Sequence, residues 1–456
     1  MSREHPSSVE TADGTIVALR PEPIGHGGEG TIYRAENGRS AVKILNTKSK
    51  NADVIALRLK RLAWLPLENI PVCRPVALLA PPHTGYTMEL LEDMVALRAI
   101  CGVPDKDFAT WYAEGGGLRR RLVLLARCAE ILSALHERGV VYGDVSPGNI
   151  LISEHNDFDQ VWLVDADNLR TETSVDDRRL GTPLYTAPEI LRGTSGNTPA
   201  TDMYSFAVVA YETLTTNHPL LGDFVADGPH ELEDDAQLGL LPWIDHSTDL
   251  RNRSTVGLTA SQVTTAALRD LFTRTFEDGM VEPRVRPAAS EWASALWSAA
   301  GRTVRCTACR QTYLVVSQAC QCGRPRPDVM VIHVAEHFQR VGEFHSDTVP
   351  IPEQTLVLQA GAELVVRART THVDAIDGDR NEITYTWHGD DTVEVRNVGQ
   401  TVIRRVPPRG GIGQQFFPGV RVTDDRNAPW TLHFGSERER HRVLCLGTIG
   451  GGGGAR

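Results

Sequence analysis

Leu135-His136-Glu137-Arg138-Gly139-Val140-Val141-Tyr142-Gly143-Asp144-Val145-Ser146-Pro147-Gly148-Asn149-Ile150-Leu151 decides how the rest of the chain is read. Leu118–Arg138 precedes and overlaps it as an amphipathic helix, with Leu122, Leu125, Ala129, Leu132 and Leu135 at three- and four-residue steps. Gly139 then stops the helix, and Val140 and Val141 begin an apolar stretch. A carboxylate at Asp144 can orient or accept a proton from a hydroxyl, and the amide oxygen of Asn149 is a donor for a hard cation. A plain reading as a capped helix followed by a polar turn leaves that Asp-to-Asn spacing and its apolar flanks unexplained.

Working outward, Val161-Trp162-Leu163-Val164 is an apolar strand that ends on Asp165, within Asp165-Ala166-Asp167. Gly181-Thr182-Pro183-Leu184-Tyr185-Thr186-Ala187-Pro188-Glu189 follows, then Thr201-Asp202-Met203-Tyr204, and Arg286 within Pro283–Pro287. On the N-terminal side, Gly25-His26-Gly27-Gly28-Glu29-Gly30-Thr31-Ile32 lies between extended segments. Such glycines let backbone N–H groups approach phosphate oxygens. The same spacing opens dinucleotide folds, but there a helix follows, whereas here a strand is expected. Ala41-Val42-Lys43-Ile44 puts a lysine inside an apolar strand, which is costly unless the ammonium meets an anion.

Taken in order, these segments resemble the eukaryotic-like Ser/Thr protein kinases of bacteria over residues 15–300. The resemblance implies a bilobal α+β kinase-like fold that binds Mg-ATP and passes its γ-phosphate to Ser or Thr hydroxyls of a protein substrate. It implies Asp144 as catalytic base, with Asn149 and Asp165 holding Mg²⁺. It implies Lys43 on the α- and β-phosphates, and a nucleotide cradle of Gly25, Gly27, Gly28, Gly30, Ile32, Ala41, Met88, Glu89 and Leu91. In it Met88 is the gatekeeper, and the backbone of Glu89 and Leu91 faces the adenine edge. Thr182 is expected to bond Asp144, Asp202 to brace the catalytic loop, and Arg286 to pair with Glu189. The combination of Tyr-Gly-Asp, Asp-Ala-Asp and the later cysteine pairs resembles the kinase of tellurite-resistance-associated phosphorylation cassettes. That likeness implies a von Willebrand A-type protein and a PP2C-type phosphatase as partners.

Three positions depart from the pattern. Gly143 stands where an Arg reads a phosphorylated activation loop, and Ser146 where Ser/Thr kinases carry a Lys. The helical stretch 51–65 has no Glu to pair with Lys43, so either Asp53 substitutes or phosphates alone hold the lysine. These departures keep a second class open: a nucleotide-binding pseudokinase scaffold whose C-terminal part recruits partners.

Cys306, Cys309, Cys320 and Cys322 cluster just beyond this region. Four thiolates on two turns suit one structural Zn²⁺, so 301–327 is expected to be a small four-cysteine zinc ribbon acting as a joint. Cys73, Cys101, Cys128 and Cys445 read as inert core thiols. From residue 328 the pattern alternates with period two: VMVIHV, TLVLQA, AELVVRA, EITYTW, TVEVRNV, QTVIRRV and WTLHF, separated by turns. This predicts an all-β sandwich or barrel over 328–448, read as an interaction domain. Its histidines His333, His337, His345 and His372 read as dispersed and ordinary. Residues 1–14 and 449–456 read as flexible tails. A net charge of −11 among 456 residues disfavours a nucleic-acid or anionic-membrane partner. With no apolar leader and no run long enough to span a bilayer, the expected location is cytoplasmic.

Overall fold

A computed structural model describes residues 6–26, 30–46, 57, 59–62, 64–102, 107–171, 181–339, 346–372, 375, 377–408, 411–436 and 439–448. Gly27 and Gly28 of the glycine loop, Asp53, His345 and the tail 449–456 lie outside the described residues. The chain divides into two compact units. The first holds residues up to Gly116, Arg120–Ser261 and Leu268–Leu296; the second holds Gly117–Arg119, Gln262–Ala267 and Trp297 onward.

The first unit opens with an antiparallel sheet of β1 (Ser8–Glu10), β2 (Ile16–His26), β3 (Gly30–Ala35), β4 (Ser40–Leu45), β5 (Ala77–Leu78) and β6 (Gly85–Glu89), in the order β1-β2-β3-β4-β6-β5. The expected loose tail is therefore ordered over residues 8–10. Val9 pairs with Val17 and is buried with Leu19, Tyr33, Val42 and Leu79, and that apolar contact draws the segment onto the sheet edge. Register sends the opposite face elsewhere. Ile32 pairs with Lys43, Lys43 with Tyr86, and Ala41 with Met88, so Ile32, Ala41, Lys43 and Met88 share the face turned away from that small core.

The rest of this unit is mainly helical. Gly117–Glu137 forms the long helix, close to its expected bounds. Pro199–Thr215 is a second, begun by a capping box in which Thr198 and Thr201 satisfy each other's backbone N–H groups. It buries Tyr204, Phe206 and Tyr211 against Phe272, Phe276 and Trp292. Short strands frame the catalytic segment: β7 (Met94–Ala96), β8 (Val140–Val141), β9 (Ile150–Ser153), β10 (Val161–Leu163) and β11 (Arg170–Thr171). Strand β9 pairs with β7 and β10, and β8 with β11.

The second unit starts with a hairpin of β12 (Thr303–Arg305) and β13 (Thr312–Leu314). Then come β14 (Val329–Gln339), β15 (Ser346–Gln359), β16 (Ala362–Arg367), β17 (Asn381–Trp387), β18 (Thr392–Asn397), β19 (Ile403–Val406), β20 (Gln414–Phe416), β21 (Arg421–Asp425), β22 (Thr431–His433) and β23 (His441–Thr448). They form two antiparallel sheets, β15-β14-β23-β22-β19-β20 and β16-β17-β18-β21. Met330, Ile332, Val334, Leu432 and Leu444 of one meet Val366, Ile383, Tyr385, Trp387 and Val395 of the other in a single core, which makes this a sandwich. The all-β expectation is corrected at one turn of helix, Ala368–Thr371, anchored by buried Ala368 and Thr371. No described helix is long and apolar enough to cross a membrane.

Candidate active site

The segment from Tyr142 to Asn149 runs between β8 and β9 and is held from below by one carboxylate. Asp202, on the Pro199–Thr215 helix, accepts from the backbone N–H groups of Tyr142 and Gly143, both at 2.8 Å. Its Oδ2 also lies 3.0 Å from His136 Nε2. Gly143 adopts φ +87°, a left-handed conformation that an L side chain would strain. The departure from Arg at this position is thus part of the loop's backbone shape. Asn197 donates to the Gly143 carbonyl at 3.1 Å.

Asp144 stands on this frame. Its Oδ1 accepts from Thr182 Oγ1 and its Oδ2 from Asn149 Nδ2, both at 2.8 Å. Burial pushes its carboxyl above the ordinary range; the hydrogen bonds from Thr182 and Asn149 pull back, and the charge of Asp165 adds to the rise. Asn149 Nδ2 also donates to the Asp144 carbonyl at 3.0 Å, which turns the amide oxygen the other way. Asp165 sits just past β10 at φ +57°. Its Oδ1 pairs with Lys43 Nζ at 3.0 Å, and Lys43 is almost wholly buried. Among the described residues, Lys43 thus meets an acid just past β10, a contact between residues that lie far apart in sequence.

Tyr142 holds the loop in a way that the sequence did not disclose. Its hydroxyl donates to the carbonyls of Val164 and, at 3.3 Å, Asn149, tying the loop to the residue before Asp165. A tyrosine in a loop whose tip is polar was the available signal. On the sheet, Gly25 pairs with Ile32, and a side chain at Gly30 would run into the Ile44 carbonyl at 2.5 Å. Met88 is buried behind Lys43, while Glu89 is exposed and Leu91 half-buried where the strand ends. The Glu89 carbonyl is approached by the Cys73 thiol at 3.5 Å, and burial raises that thiol to about 12, so it stays protonated. Arg286 grips Glu189 through both nitrogens, at 2.6 and 3.0 Å, as the resemblance implied.

Residues 111–296 match the family model for the protein kinase domain. Over that stretch the chain is similar to a protein kinase domain. Curated relatives extend the likeness. The chain is 29% identical over 226 residues to the DNA damage-responsive serine/threonine-protein kinase RqkA of Deinococcus radiodurans, covering 46% of this chain and 32% of that protein. It is 29% identical to the serine/threonine-protein kinase PknB of Mycolicibacterium smegmatis, covering 44% and 33%. It is 32% identical to the serine/threonine-protein kinase pkn2 of Myxococcus xanthus, covering 46% and 25%. The chain thus spans a quarter to a third of the length of these relatives. Asp144, Asn149 and Asp165, within the matched residues, come together with Lys43, which lies before them on the sheet face that it shares with Ile32, Ala41 and Met88.

In the second unit, the four clustered cysteines converge. Cys306 Sγ lies 3.6 Å from Cys322 Sγ, and Cys309 Sγ 3.5 Å from Cys320 Sγ. All four sulfurs fall within 4.8 Å of one another. Tetrahedral Zn–S bonds of ~2.3 Å require sulfurs ~3.8 Å apart, so the donor set fits one zinc ion. Burial opposes ionisation of Cys306, yet N–H groups of Cys309 and Ala308 turned to its sulfur outweigh it and bring the thiol down to about 6.

Proposed function

We propose that the chain is an ATP-dependent protein serine/threonine kinase acting on a partner protein. The observation that carries this reading is the joining of Asp144 to Thr182 and Asn149, beside the Lys43–Asp165 pair. Asp144 orients the incoming hydroxyl and takes its proton. Burial makes its carboxylate a better base, and the two hydrogen bonds aim it. Thr182 ties the segment that receives substrate to that base, which supports Ser or Thr as acceptor.

Lys43 moves from Asp165 onto the α- and β-phosphates, while Ile32, Ala41 and Met88 enclose the adenine ring. The Glu89 carbonyl and Leu91 N–H read its edge, and the glycine segment, including Gly25 and Gly30, covers the phosphates. Asn149 and Asp165 offer hard oxygen donors that suit Mg²⁺, which when bound screens the charge on the phosphates. Cys306, Cys309, Cys320 and Cys322 hold a structural Zn²⁺ in this reading, and four reduced thiols favour a cytoplasmic setting. The sandwich recruits partners. The likeness to tellurite-resistance cassettes names a von Willebrand A-type protein and a PP2C-type phosphatase as candidates.

A nucleotide-binding scaffold is the second reading, because Ser146 is buried where a phosphoryl-contacting Lys is expected. The two separate in one assay: transfer of radiolabelled γ-phosphate by the wild-type chain and by Asp144→Asn, beside nucleotide affinity for both. A kinase labels Ser or Thr and loses transfer, not binding, on Asp144→Asn. Equal nucleotide binding with no wild-type transfer supports the scaffold.

A further inference from the structure

The sandwich gathers three histidines that the sequence separates. His337 on β14 pairs directly with His441 on β23. His433 on β22 pairs with Val443, two residues along β23 from His441. Direct and diagonal neighbours on adjacent strands share one face and lie within side-chain reach. Alternation sends Val334, Leu432 and Leu444 into the core between the sheets, so the three imidazoles occupy the sheet's other face. They are buried there, at 6%, 7% and 6% exposure, with ring centres 4.7 to 5.2 Å apart. One nitrogen from each falls within 4.8 Å of the others. The expectation of dispersed, ordinary histidines is corrected for His337, because strand register is invisible in a linear reading.

The hydrogen bonds say where the lone pairs point. The Glu439 carbonyl can only accept, so His441 Nδ1, 2.8 Å away, carries the proton, and its Nε2 carries a lone pair. That Nε2 is 2.9 Å from His433 Nδ1. Arg404 Nη2 lies 3.3 Å from the same His433 Nδ1. A cation placed between His441 Nε2 and His433 Nδ1 would be ligated by both. His337 Nδ1 is meanwhile held 3.0 Å from Thr348 Oγ1. His441 is fixed through Nδ1 by a carbonyl and His337 through Nδ1 by a hydroxyl, the kind of support that orients imidazole ligands on a metal.

We propose that His337, His433 and His441 form a second metal site, for a borderline divalent transition ion of the Zn²⁺, Co²⁺, Ni²⁺ and Cu²⁺ class. It is separate from the cysteine cluster, chemically and in sequence. Metal–nitrogen bonds of ~2.0–2.1 Å place tetrahedral nitrogens ~3.3 Å apart, so small ring rotations close the set. Bound metal would clamp β14, β22 and β23 at one end of the sandwich.

The test uses the full-length chain loaded with Co²⁺, read by metal content and visible absorption. The wild type should hold about two equivalents. Cys306→Ser/Cys309→Ser should abolish the intense sulfur-to-cobalt absorption and retain the weaker ligand-field bands of a nitrogen site. His433→Gln/His441→Gln should do the reverse. Should the histidine variant misfold, X-ray absorption at the cobalt edge of the cysteine variant still decides, since imidazole scattering must surround the remaining ion. A wild-type chain that saturates at the thiolate equivalent overturns the proposal. So does a second equivalent that survives the histidine changes, or a cysteine variant whose cobalt shows no imidazole.

Discussion

Replacing Asp202 by Ala tests whether the catalytic segment is held by a single buried carboxylate. The side chain is 1% exposed and accepts two backbone N–H groups at 2.8 Å, besides its contact with His136. Deleting it strands the Tyr142 and Gly143 amides in a site with little access to water. Each unsatisfied buried donor costs ~1–3 kcal/mol, so the loss for two is ~2–6 kcal/mol. Against a total stability of ~5–15 kcal/mol for a domain, that is a large fraction. Relief by reshaping the loop would move Asp144, two residues on from Tyr142, and misplacing a reacting group by ~1 Å can lower the rate ~100-fold. Asp202→Asn keeps one acceptor and should fall between wild type and Asp202→Ala. The assay is amide hydrogen exchange over residues 140–145, followed by denaturant unfolding and γ-phosphate transfer. Exchange at Tyr142 and Gly143 should accelerate first. Wild-type protection there, with wild-type transfer in Asp202→Ala, would refute the reasoning, because the loop would then be fixed by other contacts.

Other outcomes follow from the same geometry. Asp144 has a raised carboxyl pKa and must be ionised to act, so the acid limb of the pH–rate profile should lie above the ordinary carboxylate value of ~3.9; Thr182→Val removes a hydrogen bond that lowers this pKa and should move the limb further up. Because the folded state binds that proton more tightly than the unfolded chain, Asp144 favours folding at low pH, and this is lost as pH rises through its folded pKa; Asp144→Asn should therefore unfold no more easily than wild type at neutral pH. Arg286→Ala leaves Glu189 buried without its bidentate partner and should cost about 3–5 kcal/mol in denaturant unfolding, much of which the double change Glu189→Leu/Arg286→Met should recover. Gly143→Arg introduces the residue that the resemblance leads one to expect here but forces a side chain into φ +87°, so it should lower the unfolding free energy by ~1–2 kcal/mol in denaturant unfolding and leave transfer no faster.

The legible part of this chain is the part written in local spacing. Asp144 and Asn149 lie five residues apart on one loop, and their contact is fixed by that loop. The cysteines likewise announced themselves as two close pairs, and folding needed only to bring two turns together. The partner of Lys43 was sought nearby, in the helical stretch that begins with Asp53. Asp53 lies outside the described residues; among the described residues the acid that meets Lys43 is Asp165, 122 positions on, a pairing that no local spacing announces. The N-terminal tail was misread for a related reason. Ser8–Glu10 is too short to show alternation, and its strand character comes from the sheet edge that receives Val9.

The histidines of the sandwich carry this argument to its end. Only His433 stands in a strand segment that periodicity identified; His337 lies three residues past VMVIHV and His441 in a strand the pattern did not single out, though within the observed strands each is assigned to a face by counting from its own apolar neighbours. That count puts His337, His433 and His441 opposite the core residues Val334, Leu432 and Leu444, but it does not say that the three meet. Their meeting depends on β23 returning from the end of the chain to lie between β14 and β22. It depends also on a register that sets His337 against His441; a slip of one residue would turn the imidazole of His441 toward the sheet's other face. The catalytic loop stores its function in spacing along the chain, whereas this cluster stores it in the order and register of strands. Metal binding at the cluster would in turn select that register, since only the observed pairing brings three ring nitrogens to one ion.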